Sequence, residues 1–153
     1  MDPQNLITLL IILVSNIFTC VQSQTSDLTS WANRNETGKE FGGLWMVDDQ
    51  LTEGPDPSSK LIGRARGLYG SAGQTDFGLI MALSYVFTDG VYDGSSFSLL
   101  SFNPVMKSGR EMAVVGGTGL FRLARGYAVA NTYQANASGD AIVGYNVTIV
   151  TYV

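Results

Sequence analysis

With 153 residues and 45% hydrophobic content, the chain is long enough to build one compact domain around its own core. A net charge of −4 and a pI near 4.6 argue against a general nucleic-acid binder. Histidine is absent, which excludes a Ser-His-Asp triad, a Cys-His pair and any His-ligated zinc or copper site, so neither a metal nor a cofactor is expected.

Residues 1–23 read as a secretory signal peptide. Their apolar stretch, 6–18, is too short and too interrupted by polar residues for a membrane span. Val21-Gln-Ser23 offers small or modest residues at the cleavage positions, which predicts a mature start at Gln24 and a secreted, extracellular protein. Asp2 and the lack of Lys or Arg depart from the usual start of such a segment. The lone Cys20 lies inside it, so no disulfide is expected in the mature chain. Residues 24–40 are polar, hold a single Trp31 and show no periodicity, which predicts a loose arm. N-glycosylation sequons begin at Asn35, Asn136 and Asn146. Asn136 sits in a polar turn, whereas use of Asn146 depends on which way its strand turns it.

From Leu44 onward the pattern is strand and turn throughout. Strands are predicted at 44–48, 60–72, 77–88, 95–102, 112–115, 124–134 and 140–153, separated by Pro/Gly-rich or Asp-Gly turns. Hairpin-length links predict an up-and-down antiparallel sheet, and closure into a barrel removes its exposed edges. A barrel of about eight strands has room for side chains or one small ligand.

Chemistry-bearing residues are few. Asp48 and Asp49 end the first of these strands and, being adjacent, point to opposite faces; one can face the lumen while the other is solvated or caps the turn. Arg64 and Arg66 share a face, suited either to a carboxylate or phenolate or to pairing with acids on the barrel exterior; Tyr69 lies on the other face. Tyr85 and Phe87 share a face, as core or as walls for a planar aromatic ligand. Gly116-Gly-Thr-Gly119 predicts a turn, after which Phe121, Leu123, Arg125 and Tyr127 alternate onto one face. Arg125 there is either a cation facing an enclosed apolar space or half of a barrel-end salt bridge. The glycine run lacks a Gly-Lys-Ser/Thr ending and opens no helix, which argues against a phosphate loop.

Gly116-Gly-Thr-Gly-Leu-Phe-Arg-Leu-Ala-Arg-Gly-Tyr127, Asp48-Asp-Gln-Leu-Thr-Glu-Gly-Pro-Asp-Pro-Ser-Ser-Lys60 and Gly63-Arg-Ala-Arg-Gly67 together resemble the plant dirigent family, in unbroken order over 41–153. The resemblance implies an all-β, calycin-like barrel similar to allene oxide cyclase. It also implies a first strand carrying Tyr/Phe-x-His-Asp, which this chain lacks, so that strand is expected to be missing or irregular. By resemblance the protein would be stereodirecting and non-oxidising rather than an enzyme. It would hold phenoxy radicals, such as those from coniferyl alcohol, that a separate laccase or peroxidase generates, and so couple monolignols to one stereoisomer in lignan and phenylpropanoid biosynthesis. Asp48, at the family's shared acidic position, and Arg125 are then the expected polar contacts, with Tyr69, Tyr85 and Phe87 as walls. Gln50 stands where the family usually has Pro, and Arg66 where it has Gln. Leu120 replaces the Asp common in members that form pinoresinol. A dehydrating ring closure on a quinone methide is the alternative within the family, and it needs an acid in the pocket; a non-catalytic carrier of a small apolar ligand is a third. The resemblance also implies a homodimer or homotrimer in the apoplast, with neither nucleic acid nor membrane as a partner.

Overall fold

A computed structural model describes residues 9–21, 26–27, 41–56, 58–136 and 140–152. Among these, the chain forms β1 (Leu9–Val21), β2 (Ser26–Asp27), β3 (Leu44–Thr52), β4 (Leu61–Ser71), β5 (Leu79–Phe87), β6 (Ser96–Asn103), β7 (Arg110–Thr118), β8 (Arg125–Ala135) and β9 (Ala141–Tyr152). Single 3₁₀ turns at Gly90–Tyr92 and Gly119–Phe121 are the only helical pieces among the described residues. The seven strands β3 to β9 follow one another as an antiparallel meander that curls on itself, as the alternation and turn residues predict.

Period-two alternation explains the core. Val47 and Leu51 on β3, Met81, Leu83, Tyr85 and Phe87 on β5, and Phe97 and Leu99 on β6 are all buried. So are Met112 and Val114 on β7, Ala128 and Ala130 on β8, and Tyr145, Val147 and Ile149 on β9. The intervening residues face outward. One end of the barrel is filled by rings: Phe121 lies 5.2 Å from Tyr92, 5.9 Å from Phe87 and 6.0 Å from Phe97, centroid to centroid. The turns 72–78 and 104–109 lie at the other end, with the end of β8 at Ala135 and the start of β9 at Ala141.

β1 occupies the place between the last and first strands of the meander. It pairs with β9 from Leu9↔Tyr152 to Val21↔Ile142, with a register shift between Val14 and Phe18, and its end reaches β3 at Cys20↔Leu51. Residues 9–21, within the stretch read from the sequence as a signal peptide, form this strand, which is irregular at its middle. Most of the 24–40 arm lies outside the described residues; Ser26 and Asp27 pair with Met46 and Trp45.

The glycine hairpin differs from expectation. β7 runs through Gly116 and Gly117 to Thr118, because these residues pair with Ser98, Phe97 and Ser96. The turn therefore moves to 119–124. A side chain at position 117 would start 2.5 Å from the Phe121 carbonyl oxygen, so glycine is what lets Phe121 fold back over the strand. Leu123 takes a φ of 61° in that turn. As a result Phe121 is buried while Leu123, Arg125 and Tyr127 are exposed, and the four do not share a face.

Candidate functional site

β3 decides where the acids go. Val47 and Leu51 are core residues, so the residue between them in the alternation, Asp49, is carried inward, where it is 3% exposed. Asp48 is carried outward. Register places Asp48 opposite Arg66 and Gln50 opposite Arg64, so both guanidinium groups converge on it. Arg64 Nε donates to Asp48 Oδ1 at 2.6 Å and Arg66 Nε at 3.0 Å; Arg64 Nη2 also donates to the Asp48 carbonyl. The hydrogen bond from Arg64, aided by that from Arg66 and by both positive charges, outweighs desolvation and holds the Asp48 carboxyl below its usual range. The expected lumen contact of Asp48 is therefore corrected: the exterior cluster is Asp48, Arg64 and Arg66, and the interior acid is Asp49.

Asp49 meets Tyr69, whose hydroxyl donates to Oδ2 at 3.2 Å. Asp49 is paired with Ala65, and Tyr69 lies four residues further along β4, about 13 Å at the usual rise. The two side chains close that span by leaning along the strand over Gly67, with Ala65 beside it. A side chain at position 67 would start 2.0 Å from the Ala82 carbonyl oxygen, so the inward surface there is bare backbone.

Tyr85, on the next strand opposite Ala65, continues the interior wall. It stacks on Phe97 with centroids 4.8 Å apart and planes 3° from parallel, and meets Tyr145 edge-on at 5.4 Å. Phe87 is interior too, within the ring cluster at the filled end. Of the wall residues expected from the sequence, Tyr69, Tyr85 and Phe87 all lie inside.

Arg125 does not. Because β8 starts at this residue and its inward positions are Ala128 and Ala130, Arg125 points outward and clasps the signature turn, donating from Nη1 to the carbonyl oxygens of Val115 (2.6 Å) and Ala124 (2.9 Å). Its expected role as an interior polar contact is corrected to holding that turn. Leu120 is exposed, and its backbone N–H donates to Ser95 Oγ. Among the described residues, the cation carried inward is Arg110, which shares the inward face of β7 with Met112 and Val114 and is 5% exposed. Burial pulls its guanidinium below the usual value, and the neighbouring Tyr145 acts in the other direction. Both Asp49 and Arg110 alternate in sequence with apolar core residues, and that was the signal for each.

Among the glycosylation candidates, Asn35 lies outside the described residues. Asn136 is exposed and its Nδ2 donates to Asp140 Oδ2 at 2.9 Å; Asn146 is exposed on β9 opposite Val129. No group of three or more acidic or cysteine side chains among the described residues could hold a metal ion.

Residues 12–150 match the family described as Dirigent-like protein. The chain belongs to the dirigent family. It is 46% identical over 165 aligned residues to Dirigent protein 23 of Arabidopsis thaliana, covering 84% of this chain and 88% of that one. Over 114 residues it is 49% identical to Pterocarpan synthase 1 of Glycine max, covering 73% of this chain and 61% of the relative. The solved pterocarpan synthase dirigent protein GePTS1 superposes with a TM-score of 0.82 at 36% identity, over 95% of this chain and 86% of that one. The curled antiparallel sheet is therefore the dirigent architecture, and the relatives of this dirigent chain include proteins named as synthases.

Proposed function

We propose that the interior of this dirigent barrel binds a phenolic alcohol and closes a ring by loss of water through a quinone methide, with Asp49 as the proton-transferring group. The observation that carries this reading is the inward carboxyl of Asp49, enclosed by the barrel wall and held by the Tyr69 hydroxyl. As a carboxylic acid, Asp49 protonates the substrate hydroxyl on the carbon conjugated to a phenol. The C–O bond breaks, water leaves, and loss of the phenolic proton to the carboxylate yields the neutral quinone methide. A second phenolic oxygen of the substrate then adds to the methide carbon. Its proton passes to the quinone oxygen, restoring the phenol, so that one water is lost overall and no oxidant is needed. Tyr69 is a positioning residue that orients the carboxyl. Enclosure keeps bulk water from adding to the methide in competition with the internal phenol. Similarity to proteins named as pterocarpan synthases supports the reaction class.

The test uses a diphenolic benzylic-type alcohol and follows the cyclised product by chiral chromatography. Product that forms with the wild-type chain and is lost in Asp49→Asn, with the fold retained, is the expected result. Equal turnover by the two proteins would sink the assignment.

Stereodirected coupling of phenoxy radicals made by an outside oxidase is the second reading. It is favoured by the aromatic wall of Tyr85 and Phe97, which suits two stacked phenolic rings, and by the likeness to Dirigent protein 23. An enantiomeric excess from coniferyl alcohol and laccase that survives Asp49→Asn would favour this reading over the first.

A further inference from the structure

The buried Arg110 is a cation whose charge no acid among the described residues balances. The ion pairs there join Lys60 to Glu53 and Asp89, and Arg64 and Arg66 to Asp48; none includes Arg110. Glu111, next in sequence, faces outward. The guanidinium is held by two donations, Nη1 to the Lys107 carbonyl at 2.8 Å and Nη2 to Thr132 Oγ1 at 2.9 Å, while Nε is buried without a partner. Across the same six-residue turn, Asn103 ends β6. Its Nδ2 donates to Met81 Sδ at 2.9 Å, and its Oδ1 is also buried without a partner. Buried polar atoms are seldom left in this condition, and an orphan often marks the place of an absent ligand or water.

The two orphans are complementary. Nε–H is a donor and Oδ1 an acceptor, at the two strand ends that the turn joins, and a hydroxyl is the small group that can accept from one and donate to the other. The surroundings favour a hydroxyl on an aromatic ring. Ala130 separates Arg110 from Tyr145 in the cross-strand row, and with Ala128 it leaves only small side chains on the inward face of β8. Beyond them stands the edge-on pair of Tyr145 and Tyr85.

We propose that Arg110 and Asn103 form a subsite for a phenolic hydroxyl, with Arg110 stabilising negative charge on the phenolic oxygen. The assignment rests on the reading that the ligand is a phenol, and it names the residues that receive the hydroxyl. Asn103 Oδ1 accepts only from the protonated hydroxyl, but a charged guanidinium in contact with this oxygen outweighs a neutral amide, so the phenolate is favoured over the phenol; that is the electronic push that expels a leaving group from the conjugated carbon.

The experiment is binding rather than turnover. The full chain is mixed with 4-nitrophenol, and the bound probe is titrated by its visible absorbance. The expected result is a phenolate-to-phenol ratio about tenfold higher for bound than for free probe at the same pH, lost in Arg110→Met. Asn103→Asp preserves shape and places a carboxylate across the turn from Arg110; it removes the rise as well, and serves if Arg110→Met does not fold. A bound probe that titrates like the free one, or no binding at all, overturns the subsite, the orphan atoms then being met by ordered water only. A rise that persists in the variants also overturns it. The rise together with no dehydration by the wild-type chain would sink the ring-closure reading while leaving the phenol subsite in place.

Discussion

Asp48 and Asp49 are consecutive in the chain and lie on opposite faces of β3, the first held outside by two guanidinium groups and the second held inside by one phenol. The outer acid is largely solvated and its charge is balanced. The inner one sits where water is scarce and a proton transfer to a bound molecule is possible. Position on the pleat, rather than residue type, separates their roles.

Asp49→Asn keeps the shape of the side chain and removes its acid. It is expected to lower the rate of the dehydrating reaction by about 10²–10⁴-fold, the usual worth of a general acid or base. Asp48→Asn should leave the rate within about twofold, because its carboxyl never faces the substrate. Turnover of the two variants, measured beside circular dichroism to show that both fold, checks the assignment.

Asp48 instead governs acid stability. Its carboxyl is held below the ordinary aspartate value in the folded chain, chiefly by the hydrogen bond from Arg64. A depressed folded pKa stabilises the fold fully above the unfolded value and loses that contribution as pH falls through the folded one. Wild-type protein should therefore show a steeper fall in unfolding midpoint below about pH 4 than Asp48→Asn. The difference should shrink in high salt, since the cluster is exposed. Asp56 and Asp89, also shifted down by their hydrogen-bond partners, keep a residual slope in the variant. Parallel slopes in wild type and variant would contradict the account.

Much of this was legible in the sequence, for local reasons. Alternating apolar residues and Gly/Asp turns are properties of a few neighbouring positions, and they located the seven strands of the meander. The inward direction of Asp49 was also legible, from Val47 and Leu51 on either side of it; following the family position instead led to Asp48. Arg125 was not legible in this way. Its direction depends on where β8 begins, and that is set by Phe121 packing back over Gly117 against rings from distant strands. Nor could periodicity separate a signal-like apolar run from a strand at residues 9–21, since both are short and mostly apolar.

Gly67 supports both the sheet and the Asp49–Tyr69 contact. Its φ is 153°, and a β-carbon there would lie 2.0 Å from the Ala82 carbonyl oxygen, which leaves no room for a side chain. Gly67→Ala is expected to destabilise by on the order of 3–5 kcal/mol, in the range where a core clash and backbone strain act together. Urea titration followed by tryptophan fluorescence measures this. A cost under about 1 kcal/mol would mean that β4 and β5 can part without penalty.

Phe121 holds the filled end. It is fully buried, against Phe87, Tyr92 and Phe97. Phe121→Ala should cost about 3–5 kcal/mol through lost burial and the cavity left behind. Since Arg125 and Thr151 hydrogen-bond into the same turn, the loss should also speed amide exchange across 119–124. Unchanged exchange there would show that the turn is held without the ring.

The expected cleavage after Ser23 has a structural consequence, because it removes β1. The meander would then present two unpaired edges, β9 along most of its length and β3 near Gln50 to Thr52. Open edges invite pairing with another chain. A chain starting at Gln24 is expected to melt at least about 5 °C lower than the full chain, the shift that 1–2 kcal/mol produces in a domain of this size. It should also self-associate as concentration rises. Thermal melts and light scattering on the two proteins, side by side, test this, and the N-terminal mass of secreted material shows which form leaves the cell. Equal melting and equal size would mean that the edges of β3 and β9 are satisfied without β1. In that case the strand at residues 9–21 adds nothing to the fold, and the signal-peptide reading carries no structural cost.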